Sequence, residues 1–233
     1  MGQTTKSTRQ KTHAYEPRIG YALAASAYEK WHWFQFWRKN EVQIVRQWAT
    51  ALTPGKILDA GSGTGLYRPV LESAGHWVVG ADLSTEMLMI QARRNPTASV
   101  VQARIEALPF QAPAFDYILC TRVLSHVQTL MPVFREFARV TRQEARLLIT
   151  DVHPEHRYSE MSIPTNEERV SIQTYKHPIA EIKTALETGG FELLGFDEFR
   201  LHDLAWKPPV ENFENIYDET ERPIFYTAFL GRP

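Results

Sequence analysis

The sequence predicts an α/β fold, a mostly parallel sheet with helices on both faces, and three observations carry that prediction. Short apolar, partly β-branched runs recur from Lys56 onward, helix-length segments separate them, and a glycine-rich turn, "DAGSGTG", joins the first run to the first such segment.

The strand-like runs are "KILDA" (56–60), "HWVVGAD" (76–82), "SVVQA" (99–103), "FDYILCT" (115–121) and "ARLLITDV" (145–152). Between them, "YRPVLESAG", "STEMLMIQARRN" and "LMPVFREFARVT" read as helices, and strands alternating with helices imply parallel pairing through crossovers. The tail adds a helix, "PIAEIKTALETGG" (178–190), stopped by its glycines, and two more runs, "FELLGFDEF" (191–199) and "IFYTAFLG" (224–231). The long connection between those two runs holds Trp206, Pro208 and Pro209 and reads as a wall or lid.

A chain of 233 residues suffices for one full α/β domain with an extension. The expected division is 1–50, a disordered leader and N-terminal helical lid, and 51–233, the main domain. Lys plus Arg number 26 against 27 for Asp plus Glu, a balance that offers no field for nucleic acid or anionic lipid. The expected partner is a small molecule, on a monomer or homodimer, with no nucleic acid and no membrane. The single cysteine, Cys120, excludes an internal disulfide and fits a reduced, cytoplasmic setting. "MGQTTKS" matches the bare N-myristoylation pattern but lacks a second membrane signal, and is read as part of the leader.

Gly61, Gly63 and Gly65 allow a tight turn and close approach of backbone to a ligand, beside a helix start that favours anionic or carboxylate groups. Asp82 ends the second run, where a carboxylate accepts from ribose hydroxyls. The G-x-G-x-G spacing differs from the dinucleotide G-x-G-x-x-G, no Lys-Ser/Thr pair follows for a triphosphate, and Asp59 places negative charge where a pyrophosphate would lie. A nucleoside carrying an ammonium or sulfonium suits these residues.

With "DAGSGTG", "GADLSTEML", "IEALPF" and "FDYILCTRVLSHV" in this order, the chain resembles the class I S-adenosylmethionine-dependent methyltransferases of the small-molecule type, over Ile57 to about Val152. The resemblance implies a Rossmann-like, seven-stranded, mostly parallel sheet with an antiparallel last strand. It implies S-adenosyl-L-methionine as cofactor and S-adenosylhomocysteine as product. Asp59, Gly61, Ser62, Gly63 and Gly65 would surround the methionine end, Asp82 would hold the ribose, and Leu83 and Met87 would flank the adenine. Ile105 and Glu106 would fall in the adenine loop, and Cys120 to Val123, with Cys120 and Thr121 in the cofactor-binding set, would pass beneath the methyl group. Two departures stand out: Arg104 occupies the place of an acid that accepts from the adenine amino group, and "TRQEA" replaces a Pro-Gly-Gly turn before the fifth strand.

Ligands of open parallel sheets sit beyond the carboxyl ends of the strands, so the residues after the fourth and fifth strands are acceptor-site candidates. His153 is the first candidate for removing a proton from the acceptor and His126 the second, with Tyr28 in the catalytic set. His126 also fits a packed, hydrogen-bonded core position, and Asp151, His153 and His156 permit a metal, although their spacing matches no standard metal motif and none is assigned. Tyr21, Trp31, Arg122, His156, Arg157 and Tyr175 complete the substrate-binding set, and a cationic Arg122 or Arg157 facing the pocket would suit a carboxylate-bearing acceptor.

A helix through about Tyr21 to Ala49 carries the run "WHWFQFW" and is apolar on more than one side. It reads as a lid and acceptor-pocket wall, with Trp37 and Trp48 in the core, and an aromatic wall suits an aromatic acceptor, as in secondary metabolism. The rival readings are chemistry on the cofactor other than methylation, such as cyclisation or a pericyclic step, and a non-catalytic partner-binding relative.

Overall fold

Two helices, α1 (Pro17–Tyr28) and α2 (His32–Thr50), precede the sheet. The computed structural model describes residues 14–156, 161–218 and 220–233; the leader, its myristoylation pattern and Arg157 lie outside them. The predicted strands appear as β1 (Lys56–Ala60), β2 (Trp77–Asp82), β3 (Ser99–Gln102), β4 (Phe115–Thr121) and β5 (Thr141–Val152). Helices α3 (Arg68–Ser73), α4 (Thr85–Arg94) and α5 (Leu130–Val140) lie between them. The tail comprises β6 (Met161–Pro164), β7 (Arg169–Ile172), α6 (Ile179–Thr188), β8 (Glu192–Phe199), α7 (Val210–Tyr217) and β9 (Phe225–Gly231).

Seven strands form one sheet in the order β3-β2-β1-β4-β5-β9-β8. The five strands from β1 to β5 pair in parallel, and β9 runs antiparallel to both β5 and β8. The order reverses at β1, which lies between β2 and β4, and there the loops after β1 and β4 part to leave the crevice expected of such sheets. Helix α5 buries Leu130, Val133, Phe134, Phe137 and Val140, the i, i+3, i+4, i+7 stripe of an amphipathic helix. Fully burying each such side chain is worth about 1.5–3 kcal/mol. Ser84 caps α4 by accepting from the Met87 backbone, with Glu86 in the first turn and Arg93 and Arg94 in the last.

Four features differ from the sequence reading. The expected single N-terminal helix is broken at Trp31, whose backbone is extended at the cap of α2. A straight helix cannot bury both of its apolar sides here. The α1 face (Ala24, Ala25, Tyr28) packs on Met87, Ile163, Val170 and Ile172, whereas α2 places Val45 and Trp48 on the β1 region. Arg94 grips the Glu29 carboxylate at the end of α1 with two hydrogen bonds and ties it to α4. Second, β6 and β7 form an antiparallel hairpin that packs under α1, and strands of four residues are too short for a clear period. Third, β5 starts at Thr141, and Glu144 adopts a left-handed φ of 62° within it, so the altered turn becomes a local register shift against β4. Finally, the connection before β9 buttresses α2: Phe213 meets the Trp33 ring at 5.0 Å, and no described residue from 200 to 223 lines either cavity of the site.

Candidate active site

The loop after β1 is shaped by positions that only glycine fills readily. Gly61 has φ 78°, and a Cβ there would meet Val123 at 2.1 Å. Gly63 has φ 52° and faces open space. The Gly63 N–H donates to Asp82 Oδ2 at 2.7 Å and the Ser84 N–H to Asp82 Oδ1 at 2.8 Å. One carboxylate thus staples the glycine loop to the start of α4. Burial raises the Asp82 carboxyl above its ordinary range, against these backbone donors.

A cavity of about 320 Å³ opens over this loop. Gly61, Ser62, Gly63, Asp82, Leu83, Met87, Arg104, Ile105, Glu106 and Thr121 all line it. Three members of the expected set do not. Gly65 faces the Gln91 side chain, where a Cβ would fall 2.6 Å from it, so this glycine serves the packing of α4. Cys120 is fully buried and points into the core, because side chains alternate along β4 and Thr121 takes the cavity side. Asp59 lies behind the loop, 1% exposed, with neither carboxylate oxygen hydrogen-bonded. Burial pushes its carboxyl up to about 7; Arg68 opposes that rise and Asp82 adds to it. Arg104 is exposed and bonds Glu106 at 2.9 Å.

The lid contributes Pro17, Arg18, Tyr21 and Tyr28 to the cavity roof. Tyr28 belongs to this roof and packs on Tyr21, Trp31 and Phe34; it does not line the second cavity. Tyr67 and Gln173 are further wall residues that the sequence did not single out.

The second cavity, about 100 Å³, is bounded by Trp31, Trp33 and Trp37 on one side and by Asp151, His153, His156 and Tyr226 on the other. It shares three wall residues with the first: Arg122, His126 and Tyr175.

Arg122 is partly engaged: its Nη1 is bonded, while its buried Nε has no hydrogen-bond partner. Its backbone is left-handed, with φ 56°, and its Nη1 donates to Glu41 Oε2 and, at 2.9 Å, to the Tyr67 hydroxyl. The guanidinium lies over the rings of Trp37 and Tyr67, at 5.2 and 5.7 Å from their centroids. Glu41 also accepts from the Tyr67 and Thr150 hydroxyls. Glu41 went unnoticed in the sequence, although an acid in the midst of an aromatic run was its signal.

Both ring nitrogens of His153, the first candidate for the base, have partners in the fold. Its Nδ1 accepts the Glu155 N–H at 3.2 Å, so Nε2 carries the proton and donates to Glu198 Oε1 at 2.8 Å. No lone pair of the ring remains for an acceptor's proton. Asp151 spends its oxygens on the Ser125 N–H and hydroxyl, both at 2.9 Å, and on the Val152 N–H at 2.7 Å. Asp151 and His153 therefore turn to different partners, and no metal-holding group of three such side chains occurs among the described residues.

His126 stands where the two cavities meet. Its Nδ1 lies 2.9 Å from the Gln173 carbonyl oxygen, which can only accept, so Nδ1 carries the proton. Its Nε2 therefore accepts from the Tyr21 hydroxyl at 2.8 Å. Burial lowers the imidazole below its ordinary range, opposed by the Gln173 carbonyl and Asp151, and burial raises the Tyr21 phenol well above its own. The pair is neutral at pH 7.

Residues 58–149 match the family described as "Methyltransferase domain". The malonyl-[acyl-carrier protein] O-methyltransferase of Erwinia pyrifoliae is 36% identical over 96 residues, 41% of this chain and 36% of that one. A demethylmenaquinone methyltransferase of Mycobacterium tuberculosis is 33% identical over 133 residues, 57% of this chain and 50% of that one. The chain thus spans half or less of the length of these curated relatives. Among solved structures, an S-adenosylmethionine-dependent methyltransferase from Mesorhizobium loti superposes with a TM-score of 0.61 at 18% identity, covering 77% of this chain and 91% of that one. The putative methyltransferase in complex with the Haloferax volcanii Trm112 activator gives 0.69 at 16% identity, with 95% and 100% covered. The [4+2]-cyclase SpnF gives 0.60 at 19% identity, with 82% and 80% covered. At such identities the structural likeness speaks for the fold alone, and the similarity to a methyltransferase domain covers residues 58–149.

Proposed function

We propose that this chain transfers a methyl group from S-adenosylmethionine to a small-molecule acceptor, with the cofactor in the larger cavity and the acceptor in the smaller. The observation that carries this reading is the junction: a glycine-loop cavity and a tryptophan-walled cavity meet at Arg122, His126 and Tyr175.

The residues present fit the cofactor. Asp59, behind the glycine loop, has buried carboxyl oxygens without a hydrogen-bond partner, and the ammonium of a methionine moiety would reach them through a water. Gly63 leaves room where a side chain would intrude. Asp82 keeps lone pairs beyond its two backbone donors for ribose hydroxyls, and Leu83, Met87 and Ile105 offer apolar surface to a base. Arg104 accepts no hydrogen bond, so Glu106 is the acid available on this loop. When bound, the cofactor supplies an electrophilic methyl group on a sulfonium.

The chain's own contribution is alignment and exclusion of water. Helix α1 closes the cofactor cavity from above, and Trp31, Trp33 and Trp37 form a wall against which a planar acceptor lies flat. Arg122 is already paired with Glu41, and Lys176, the other cation that lines the smaller cavity among the described residues, is exposed and donates to the His156 carbonyl. The wall thus favours an aromatic over a carboxylate-bearing acceptor. A ring-type acceptor, as in the name of the demethylmenaquinone relative, suits it better than a carrier-protein thioester. No helix among the described residues is long and apolar enough to cross a membrane.

The test is product analysis after incubation with S-adenosylmethionine and a panel of aromatic acceptors. Equimolar S-adenosylhomocysteine and methylated acceptor support the proposal. Cofactor consumed without S-adenosylhomocysteine, or an acceptor rearranged without methylation, replaces it with the cyclisation or pericyclic reading.

A further inference from the structure

The Tyr21–His126 pair joins two parts of the molecule. Tyr21 comes from the lid helix α1, His126 from the turn after β4, and the Gln173 carbonyl that fixes the imidazole follows β7. Tyr21 lines the larger cavity, His126 lines both, and the Tyr21 hydroxyl has a second, weaker acceptor 2.9 Å away in Met161 Sδ, itself a wall of the smaller cavity. The two rings meet edge to face at 5.2 Å. A hydroxyl thus stands at the junction, donating into an imidazole whose other nitrogen is already committed.

Resting on the methyl-transfer reading above, we propose that Tyr21 and His126 form a proton relay, and that the acceptor is a single ring bearing a weakly acidic O–H or ring N–H. The acceptor's proton passes to the Tyr21 oxygen as the Tyr21 proton passes to His126 Nε2. The freed electron pair on the acceptor atom bonds the methyl carbon as the carbon–sulfur bond breaks, and that bond's electrons remain on sulfur. The positive charge of the sulfonium is thereby replaced by an imidazolium, so the site's total charge is unchanged. The imidazolium keeps its Nδ1–H on the Gln173 carbonyl, with the Asp151 carboxyl nearby.

The substrate class follows from matching and size. A phenol, at about pKa 10, gives up its proton to a neutral tyrosine–histidine pair far more readily than an aliphatic alcohol does. The acceptor cavity of about 100 Å³ is of one-ring size, since an engineered apolar cavity of roughly 150 Å³ takes up benzene. Because Tyr21 rides on α1, the relay exists only while the lid lies over the cofactor cavity, which ties proton removal to the exclusion of water.

Two measurements test this. Nitrogen–proton NMR of the ligand-free protein, with His126 assigned by the loss of its signals in His126→Gln, should show a neutral Nδ1–H tautomer whose Nε2 resonance shifts in Tyr21→Phe. An Nε2–H tautomer, or no response to Tyr21→Phe, overturns the relay whatever the cofactor does. In turnover assays with monocyclic phenols and ring N–H heteroaromatics, Tyr21→Phe and His126→Gln should lower kcat by about 100-fold with little change in KM. Matched thiolates, which have no proton to lose, should be methylated by both variants nearly as fast as by the wild type. Equal losses with thiolates, or turnover of thiols only by the wild type, contradict the proposal, as does a wild type that binds cofactor yet methylates none of the ring acceptors. A protein that binds no S-adenosylmethionine overturns the methyl-transfer reading instead, and the tautomer measurement still decides the relay.

Discussion

Arg122 Nη1 donates to Glu41 Oε2 inside the protein, with the Glu41 side chain fully buried and that of Arg122 10% exposed. This pair links the lid-side helix α2 to the end of β4, and the Tyr67 and Thr150 hydroxyls complete the carboxylate's bonds. Removing one partner leaves an uncompensated charge in the interior, which costs about 3–5 kcal/mol. Arg122→Met should therefore lower unfolding stability by that order, and Arg122→Met with Glu41→Leu should recover most of it. Denaturant unfolding of the single and double variants checks this; an additive double variant contradicts the pairing.

Asp59 sets a pH dependence. Its carboxyl rises from 3.8 to about 7 on folding. The folded chain therefore binds more protons than the unfolded one between these values, and stability falls as pH rises from about 4 to about 7. A tenfold difference in proton affinity between the folded and unfolded chains is worth about 1.4 kcal/mol. Asp59→Asn should make this decline shallower in the ligand-free protein, seen in the profile of unfolding midpoint against pH, with Asp82 and Asp151, whose carboxyls burial also raises, supplying what remains. In the wild type, S-adenosylmethionine should bind more tightly above pH 7, where Asp59 is ionised, and calorimetry in the two pH regimes reads that difference.

Gly61 and Gly63 are expected to fail differently when changed to alanine. At Gly61 a Cβ meets Val123 at 2.1 Å in addition to the left-handed backbone, so Gly61→Ala should destabilise the fold by several kcal/mol. At Gly63 nothing lies within 4 Å, so Gly63→Ala should cost only about 1 kcal/mol of stability while weakening cofactor binding more strongly. Thermal unfolding alongside a binding titration separates the two effects.

His153→Ala should reduce stability through loss of the Glu198 bond, worth about 1 kcal/mol, while kcat stays within a few-fold of the wild type. A loss of about 100-fold in kcat with unchanged cofactor affinity would restore His153 as the base.

The sheet was legible because its signals are local. Apolar runs gave β1 to β4 nearly to the residue and β5 from Ala145 onward, and the glycines with Asp82 marked the cofactor loop. What escaped depended on contacts between distant segments. Nothing near His126 in sequence announces Tyr21 or the Gln173 carbonyl, which select its tautomer, and nothing near His153 announces Glu198, which occupies it. The side of β4 that faces the cavity was legible by alternation, and Thr121 rather than Cys120 follows from it. The break at Trp31 and the hairpin beneath α1 arise because two faces of one aromatic segment must be buried against different partners. Local periodicity does not report that constraint.

The most direct measurement is calorimetric titration of S-adenosylmethionine into the wild type and Asp82→Ala, both shown to be folded. Micromolar binding to the wild type is expected, with a loss of about 30- to 100-fold in the variant, the equivalent of about one charge-assisted hydrogen bond at the ribose. Equal affinities for the two proteins, or no binding to the wild type, would contradict the placement of the cofactor over the Gly63–Asp82 staple.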